Sequence, residues 1–386
     1  MRRLLVLAVL LAAAVTAGQA QAGLKQKLAR ALAAAPTRSG AIAIDLQTQR
    51  VVYAHNSALP LAPASNEKLA VTYAALVRLG PSFRFHTEVY LAGRNLYLRG
   101  GGDPTLHVAA LRRLARQLRA RGIRSVHDVL ADESAFDKRR TAPGWKPSFY
   151  LHESPALSAL VVARGLFHGQ LSPDPAGAAA AIFVNVLRKS GIKVDGQSAW
   201  AKTPHGAREA AVVASEPLSQ ILRFMDRWSD NFTAEMVLKT LGHGTTARGA
   251  AVVVSVLKQA HVPLEGVRIA DGSGLSSRDR FTAKALGGIL LASWRNPHVH
   301  RYVWRALAIA GLRGTLADRM RGAKGLVHAK TGTTDLASAL SGYAARRYAF
   351  AMVNDGDPVN LWSAHSAQDW FATALATAGR CRATCR

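Results

Sequence analysis

Residues 63–81 of the 386-residue chain read PASNEKLAVTYAALVRLGP, the first strong helix signal in the sequence. Gly80-Pro81 ends this run, because glycine accepts the left-handed backbone that closes a helix and proline cannot continue one. The sequence therefore predicts a helix from Asn66 to about Leu79. Its apolar side chains recur at helical spacing, at Leu69, Tyr73, Leu76 and Val77.

A serine and a lysine stand at the start of this helix, three residues apart. Residues i and i+3 share one helix face, so the Lys68 amine can reach the Ser65 hydroxyl. The helix N-terminus also supplies free N–H groups and a positive potential at Ser65. The pattern alone is weak, since Ser190…Lys193 and Ser255…Lys258 have the same spacing. A simple capping role is the structural alternative for Ser65.

Two further motifs follow in order along the chain. Ser229-Asp230-Asn231 is the only Ser-x-Asn triplet and lies between predicted helices Leu218–Trp228 and Phe232–Leu241. Lys330-Thr331-Gly332-Thr333 ends a predicted strand, and its glycine lets a substrate backbone lie close to the strand edge. A serine–lysine pair, a Ser-x-Asn loop and a Lys-Thr-Gly strand, in that order, are the signature of penicillin-recognising serine enzymes.

With these motifs the chain resembles the low-molecular-mass penicillin-binding proteins that act as D-alanyl-D-alanine carboxypeptidases and endopeptidases. The likeness is to the subgroup with a domain inserted between the first two motifs. Further stretches carry it: Gly101-Gly102-Asp103-Pro104-Thr105-Leu106, Ala142-Pro143-Gly144-Trp145, Asp271-Gly272-Ser273-Gly274-Leu275 and Gly314-Thr315-Leu316. The resemblance implies an α+β fold of the penicillin-binding transpeptidase and β-lactamase type, with an antiparallel sheet flanked by helices and a smaller inserted α/β domain.

The separation of Ser65 from Ser229 leaves room for one inserted domain, at about residues 84–211. The catalytic domain then comprises residues 23–83 and 212–386. Strands and helices are mixed without a repeating βαβ rhythm, which also favours an antiparallel sheet with helices packed on it.

The resemblance implies a role for each motif residue. Ser65 attacks the carbonyl of the penultimate D-alanine to form an acyl-enzyme, with Lys68 as the base. Ser229 passes a proton toward the leaving nitrogen, and the backbone N–H groups of Ser65 and Thr333 form the oxyanion hole. The implied catalytic residues are Ser65, Lys68, Ser229, Asn231 and Lys330, and the implied substrate-binding residues are Thr331, Gly332, Thr333 and Asp132.

Two of these assignments carry conditions. At the reference pKa of about 10.4, only about one Lys68 side chain in 2,500 is neutral at pH 7. Burial and the charge of Lys330 are therefore expected to lower the pKa of Lys68.

The resemblance leaves two readings of Asp132: it meets the amino group of the stem peptide, or it simply caps a turn. Ser277 stands where the family commonly has arginine, which leaves the preferred stem-peptide side chain open. The resemblance implies no cofactor, and the 13 histidines show no metal-ligand spacing.

The N-terminus predicts export. Arg2 and Arg3 precede an apolar run and then Ala20-Gln21-Ala22, a pattern typical of a signal peptide over residues 1–22. The apolar run is shorter than the ~20 residues that a membrane span needs. We expect export to the periplasm or to an extracellular, cell-wall-associated location. Cys381 and Cys385 either form a local disulfide or remain as free or intermolecular thiols.

Fifty Lys and Arg against 24 Asp and Glu give a net charge of +26. This charge fits anionic cell-envelope polymers, and the sequence has no basic–aromatic motif for nucleic acid. The predicted partners are peptidoglycan stem peptides, with β-lactams as covalent inhibitors. Two alternatives remain: a β-lactamase or esterase on the same fold, and a cationic wall-binding protein that has lost catalysis.

Overall fold

The structure, a computed structural model, describes residues 21–384, with side chains described to residue 378. Residues 1–20 of the predicted signal peptide and Cys385 lie outside this range. A first helix, α1, covers residues 21–33. The other helices are α2 (Lys68–Arg78), α3 (Val108–Ala120), α4 (Pro175–Lys189), α5 (Leu218–Trp228), α6 (Asn231–Leu241), α7 (Thr246–Gln259), α8 (Ala283–Arg295), α9 (His300–Ala306) and α10 (Leu361–Thr384).

Fifteen strands are described in this part of the chain. They are β1 (Arg38–Asp45), β2 (Val51–His55), β3 (His86–Ala92), β4 (Asn95–Gly100), β5 (Ser125–Val126), β6 (Val129–Asp132), β7 (Leu166–Phe167), β8 (Gln170–Leu171), β9 (Lys193–Val194), β10 (Ser198–Trp200), β11 (Arg208–Ala214), β12 (Ala308–Ile309), β13 (Val327–Thr333), β14 (Ala337–Ala344) and β15 (Tyr348–Asp355).

Six strands form one antiparallel sheet in the order β12-β13-β14-β15-β1-β2. Strands β1 and β2 are consecutive in the chain and pair as an antiparallel hairpin. Along β1, Ile42 and Ile44 pack toward one face while Ala41 and Ala43 pack toward the other, as the two-residue period of a strand requires. Both faces of this sheet are therefore covered by apolar side chains.

Different helices cover the two faces. Helices α2, α5, α6, α7 and α8 share one apolar core with the face of Ile42 and Ile44. Helices α1 and α10 pack on the opposite face through residues such as Leu28, Phe371 and Leu375. The expected antiparallel sheet flanked by helices is confirmed. Among residues 21–384, no helix combines the length and apolar character that crossing a bilayer requires.

A second, five-stranded sheet has the order β10-β6-β4-β3-β11, with antiparallel pairs at β3 and parallel pairs at β6. Helices α3 and α4 share its apolar core, which is separate from that of the first sheet. This sheet runs from His86 to Ala214, and the division at residues 84 and 211 stays a prediction.

A small apolar cluster joins the chain around the second sheet to helix α6. Phe136, Leu157 and Val161, from the chain around the second sheet, pack against Phe232 and Met236 of α6. Because α6 begins directly after Ser229-Asp230, this contact links the chain around the second sheet to an element that forms the site described next.

Candidate active site

Ser65 lies in a 3-10 turn, Ala64–Glu67, which leads directly into α2 at Lys68. The expected helix start is therefore tighter than an α-helix. At three residues per turn, side chains i and i+3 stand above one another, which aligns Ser65 with Lys68 better than an α-helix would. The Lys68 Nζ lies 2.8 Å from the Ser65 Oγ. Ala64, just before the serine, has a φ of 44°, an uncommon value that places strain next to the hydroxyl.

The Lys68 ammonium is fully buried and has three oxygen partners. Besides Ser65, it contacts the Asn231 Oδ1 at 2.8 Å and the Ser273 backbone oxygen at 2.6 Å. Burial lowers the pKa of Lys68 to about 8, and the carboxylates of Asp271 and Glu235 offset part of this fall. The lowered pKa and its cause, burial, match the expectation. At pH 7 about one Lys68 in ten is then neutral.

The Ser-Asp-Asn motif connects α5 to α6. Ser229 has a left-handed backbone, with φ 61° and ψ 38°, which ends α5 and turns its side chain away from the helix. Asp230 caps α6 by accepting the Thr233 N–H at 2.8 Å. The next residue, Asn231, opens α6 and points its Oδ1 at Lys68. A left-handed backbone conformation costs a serine free energy, and such residues are often found at positions where the direction of the side chain matters for function.

The Lys-Thr-Gly motif lies on β13, beside the turn that carries Ser65. The Lys330 Nζ donates to the Ser229 Oγ at 2.8 Å, so the second and third motifs are in contact. Burial and the charge of Lys68 hold the pKa of Lys330 well below its usual range. A Cβ added to Gly332 would lie 2.9 Å from the Ser65 backbone nitrogen. Glycine thus leaves the space above that N–H open, as an oxyanion hole needs.

These residues line one cleft, with side chains that the motif analysis did not assign. Ser65, Ser229, Asn231, Thr331, Gly332 and Thr333 form the wall, as the order of the motifs predicts. The additional lining residues are Glu153, Leu275, Thr315, Arg319 and His365. Thr315 was within reach of sequence reasoning, since Gly314-Thr315-Leu316 belongs to the resemblance. Its hydroxyl contacts that of Thr331 at 2.7 Å.

The structure does not bring Asp132 to this cleft. Asp132 ends β6, is buried, and accepts hydrogen bonds from Ser134 and Thr203 within the second sheet region. These bonds lower its pKa although burial opposes them. The turn-capping alternative therefore describes its environment, and its contact with the stem peptide stays a prediction. The two other serines that stand three residues before a lysine, here called decoy serines, have ordinary positions: Ser190 ends α4, and Ser255 is exposed on α7.

A cluster of buried carboxyl groups lies behind Ser65. Glu67, Asp271 and Asp279 each place one carboxylate oxygen within 4.8 Å of the others, a spacing that could hold a cation. No described donor group reaches either oxygen of Glu67. Burial and the neighbouring carboxylates raise the pKa of Glu67 well above its usual range and that of Asp279 to about 9. Bound protons therefore stabilise this cluster at neutral pH.

Comparison with known proteins agrees with this geometry. The model of the D-Ala-D-Ala carboxypeptidase 3 (S13) family matches residues 24–178 and 170–375. The chain belongs to this S13 family. A D-alanyl-D-alanine carboxypeptidase of Actinomadura sp. (strain R39) is 30% identical over 441 residues, covering 88% of this chain and 81% of that protein. Carboxypeptidase DacB of Mycolicibacterium smegmatis is 31% identical over 373 residues, covering 87% and 79%.

A solved structure shows the same fold. The crystal structure of penicillin binding protein 4 from Haemophilus influenzae matches with a TM-score of 0.78 and 21% identity, covering 89% of this chain and 97% of that one. The expected family and the penicillin-binding fold are thus confirmed for this S13 member.

The carboxyl cluster makes the stability of this S13 protein pH-dependent. The folded-state pKa values of Glu67 and Asp279 exceed the unfolded ones, so between about pH 5 and 8 the folded chain binds more protons and loses stability as pH rises. Glu67→Gln removes one of these proton-binding groups. Urea titrations at several pH values should show that the unfolding free energy of Glu67→Gln falls less steeply with rising pH than that of the parent, by up to about 1.4 kcal/mol per pH unit. Glu265→Gln, at an exposed position, is the control; equal slopes for parent and Glu67→Gln would contradict the assignment.

Proposed function

We propose that this S13 protein is a serine D-Ala-D-Ala carboxypeptidase that acts on peptidoglycan stem peptides through an acyl-enzyme. The observation that carries the proposal is the 2.8 Å contact between the Ser65 hydroxyl and a buried Lys68 amine of lowered pKa. Family membership and carboxypeptidase relatives support the same reaction.

The geometry gives the acylation step. A neutral amine has two hydrogens and one lone pair. The Asn231 Oδ1 and the Ser273 carbonyl oxygen only accept hydrogen bonds, so they take the two hydrogens and leave the lone pair for the Ser65 proton. The Ser65 Oγ forms a bond to the D-alanine carbonyl carbon while its proton moves to Lys68.

Breakdown of the intermediate needs a proton on the leaving nitrogen. Ser229 can donate its hydroxyl proton, and Lys330, which donates to the Ser229 Oγ, can replace it. The depressed pKa of Lys330 makes that transfer easier. The C–N bond breaks, the last D-alanine leaves, and water later releases the acyl group. The terminal carboxylate binds Thr331 and Thr333, near the guanidinium of Arg319.

The β-lactamase or esterase alternative and the non-catalytic wall-binding alternative have no specific support in these findings. A β-lactam-bound form of the Haemophilus influenzae protein is known, and we propose that β-lactams acylate Ser65 here. Ser65→Ala should abolish covalent labelling by a fluorescent penicillin, whereas Ser255→Ala, at the exposed decoy serine, should label like the parent. Labelling that survives in Ser65→Ala would contradict the assigned nucleophile.

The pH dependence of acylation tests the base. Because protonated Lys68 cannot accept the Ser65 proton, the acylation rate should rise about tenfold per pH unit below pH 8 and level off above it. The measurement is the second-order rate constant for penicillin labelling from pH 5.5 to 9.5. A rate that is flat between pH 6 and 8 would exclude Lys68 as the titrating base.

Products identify the physiological reaction. Carboxypeptidase and endopeptidase activities both cut after a D-alanine and differ in what leaves. A purified pentapeptide muropeptide should lose the mass of one D-alanine, and Ser65→Ala should leave it intact. Crosslinked muropeptides in the same mass analysis reveal endopeptidase activity if monomers appear. An enzyme that penicillin labels but that leaves the pentapeptide uncut would contradict the carboxypeptidase proposal.

We also propose the organisation and location of the protein. Residues 84–211 act as an inserted domain, supported by the separate apolar core of the second sheet. Residues 1–22 direct export to the periplasm or cell wall, supported by the composition of that segment. Anionic envelope polymers are proposed partners on the basis of charge: Arg112, Arg113 and Arg116 of α3 are exposed and pair with no described acidic side chain.

A further inference from the structure

One arm of the inserted chain, residues 142–157, reaches the catalytic cleft. At one end, Gly144 accepts hydrogen bonds from the N–H and hydroxyl of Ser277, and a Cβ on Gly144 would lie 2.3 Å from the Ser276 Oγ. At the other end, Leu157 belongs to the apolar cluster on α6. The arm is therefore anchored at one end beside the turn that contains Ser273 and at the other end on α6, which begins at Asn231.

The first contact toward Lys68 runs through a buried aspartate. The indole N–H of Trp145 donates to the Asp271 Oδ2 at 2.7 Å. Asp271 is fully buried and accepts four further hydrogen bonds from the turn that it begins: from the N–H groups of Gly274, Leu275 and Ser276 and from the Ser273 hydroxyl. This turn presents the Ser273 carbonyl oxygen to Lys68 at 2.6 Å.

The second contact sets the orientation of an amide. The Asn231 Nδ2 donates to the Glu153 backbone oxygen at 3.1 Å. With its NH₂ group held there, the amide can only present its oxygen to the Lys68 Nζ. Just beyond the arm, Arg164 supports the Ser229-Asp230-Asn231 segment: its guanidinium donates two hydrogen bonds to the Asp230 carboxylate, at 2.8 and 3.2 Å.

We propose that the arm, together with Arg164 just beyond it, is a positioning element for the catalytic base. Trp145 holds the segment that carries the Ser273 carbonyl oxygen, and Glu153 and Arg164 hold the segment that carries the Asn231 amide oxygen. These two oxygens direct the Lys68 lone pair at Ser65. The proposal rests on the proposed role of Lys68 as the base. It assigns the inserted chain a part in catalysis that does not require contact with substrate. Neither Trp145 nor Arg164 is among the residues that line the cleft around Ser65, so both act through other groups.

The consequence of loosening the arm has a defined sign. Carbonyl oxygens stabilise an ammonium more than a neutral amine, so a displaced Ser273 oxygen favours loss of the Lys68 proton. The midpoint of the pH–rate profile should then move toward acid. The plateau should fall as well, because the lone pair is no longer fixed on Ser65. A defect that only destabilised the fold would lower the plateau and leave the midpoint in place.

Trp145→Phe removes the N–H donor and keeps most of the ring. We expect the plateau of penicillin acylation in the full-length protein to fall about tenfold, with the midpoint lower by roughly half a pH unit. Trp200→Phe, at an exposed tryptophan of the inserted chain, should give the parent profile. A Trp145→Phe profile that coincides with the parent, or one whose plateau falls at an unchanged midpoint, would overturn the proposal.

A second variant guards against a folding defect. If thermal unfolding shows that Trp145→Phe is not folded, Arg164→Gln tests the same idea from a side chain that is 40% exposed. Its plateau should fall about threefold with a smaller acid shift, because Asn231 loses support on one side only. A parent-like profile overturns the arm proposal. Failure of the parent itself to react with penicillin would instead contradict the proposed function.

Discussion

The buried ammonium of Lys68 is the constraint on which the rest of the site depends. A lysine without access to water has to satisfy three N–H groups, and here the acceptors come from three separate segments: Ser65, Asn231 and Ser273. The turn of Ser65 contacts β13, Asn231 is the first residue of α6, and Ser273 lies in the turn that Asp271 begins. The same burial that requires these acceptors also lowers the pKa of the amine. Structural need and chemical reactivity therefore have one cause.

The buried amines and carboxyl groups around the cleft shift one another's pKa values. Lys68 and Lys330 are both buried, and Asp226 lies close enough to affect the pKa of Lys330. Thr72 donates to the Asp226 carboxylate at 2.7 Å. On the other side, the carboxyl cluster at Glu67 would repel itself if it were fully ionised, and burial keeps protons on it. The site thus combines amines that release protons easily with carboxyl groups that retain them.

Sequence reasoning predicted the parts of this molecule that rest on local pattern. The predicted helices at α2, α5 and α6 were found nearly where expected, and the three motifs follow in a diagnostic order. Short elements escaped it: β12 has two residues and α9 has seven, too few for a period to show. Asp132 illustrates a different limit, because an acidic residue at the end of a strand gives no sign of whether its partners are substrate or backbone. The bond from Trp145 to Asp271 likewise joins residues 126 apart, and no local pattern encodes it.

The pairing of β1 with β15 has a consequence for biogenesis. The Asn354 Nδ2 donates to the Ser39 Oγ across a separation of 315 residues, and Asn66 contacts the backbone of Lys330 across 264. Closing loops of this size is entropically costly and slow, so high contact order is expected to delay folding. A nascent chain that lacks β13–β15 has neither the partner of β1 nor the third motif. The catalytic cleft can therefore be completed only after the chain has been made as far as β15.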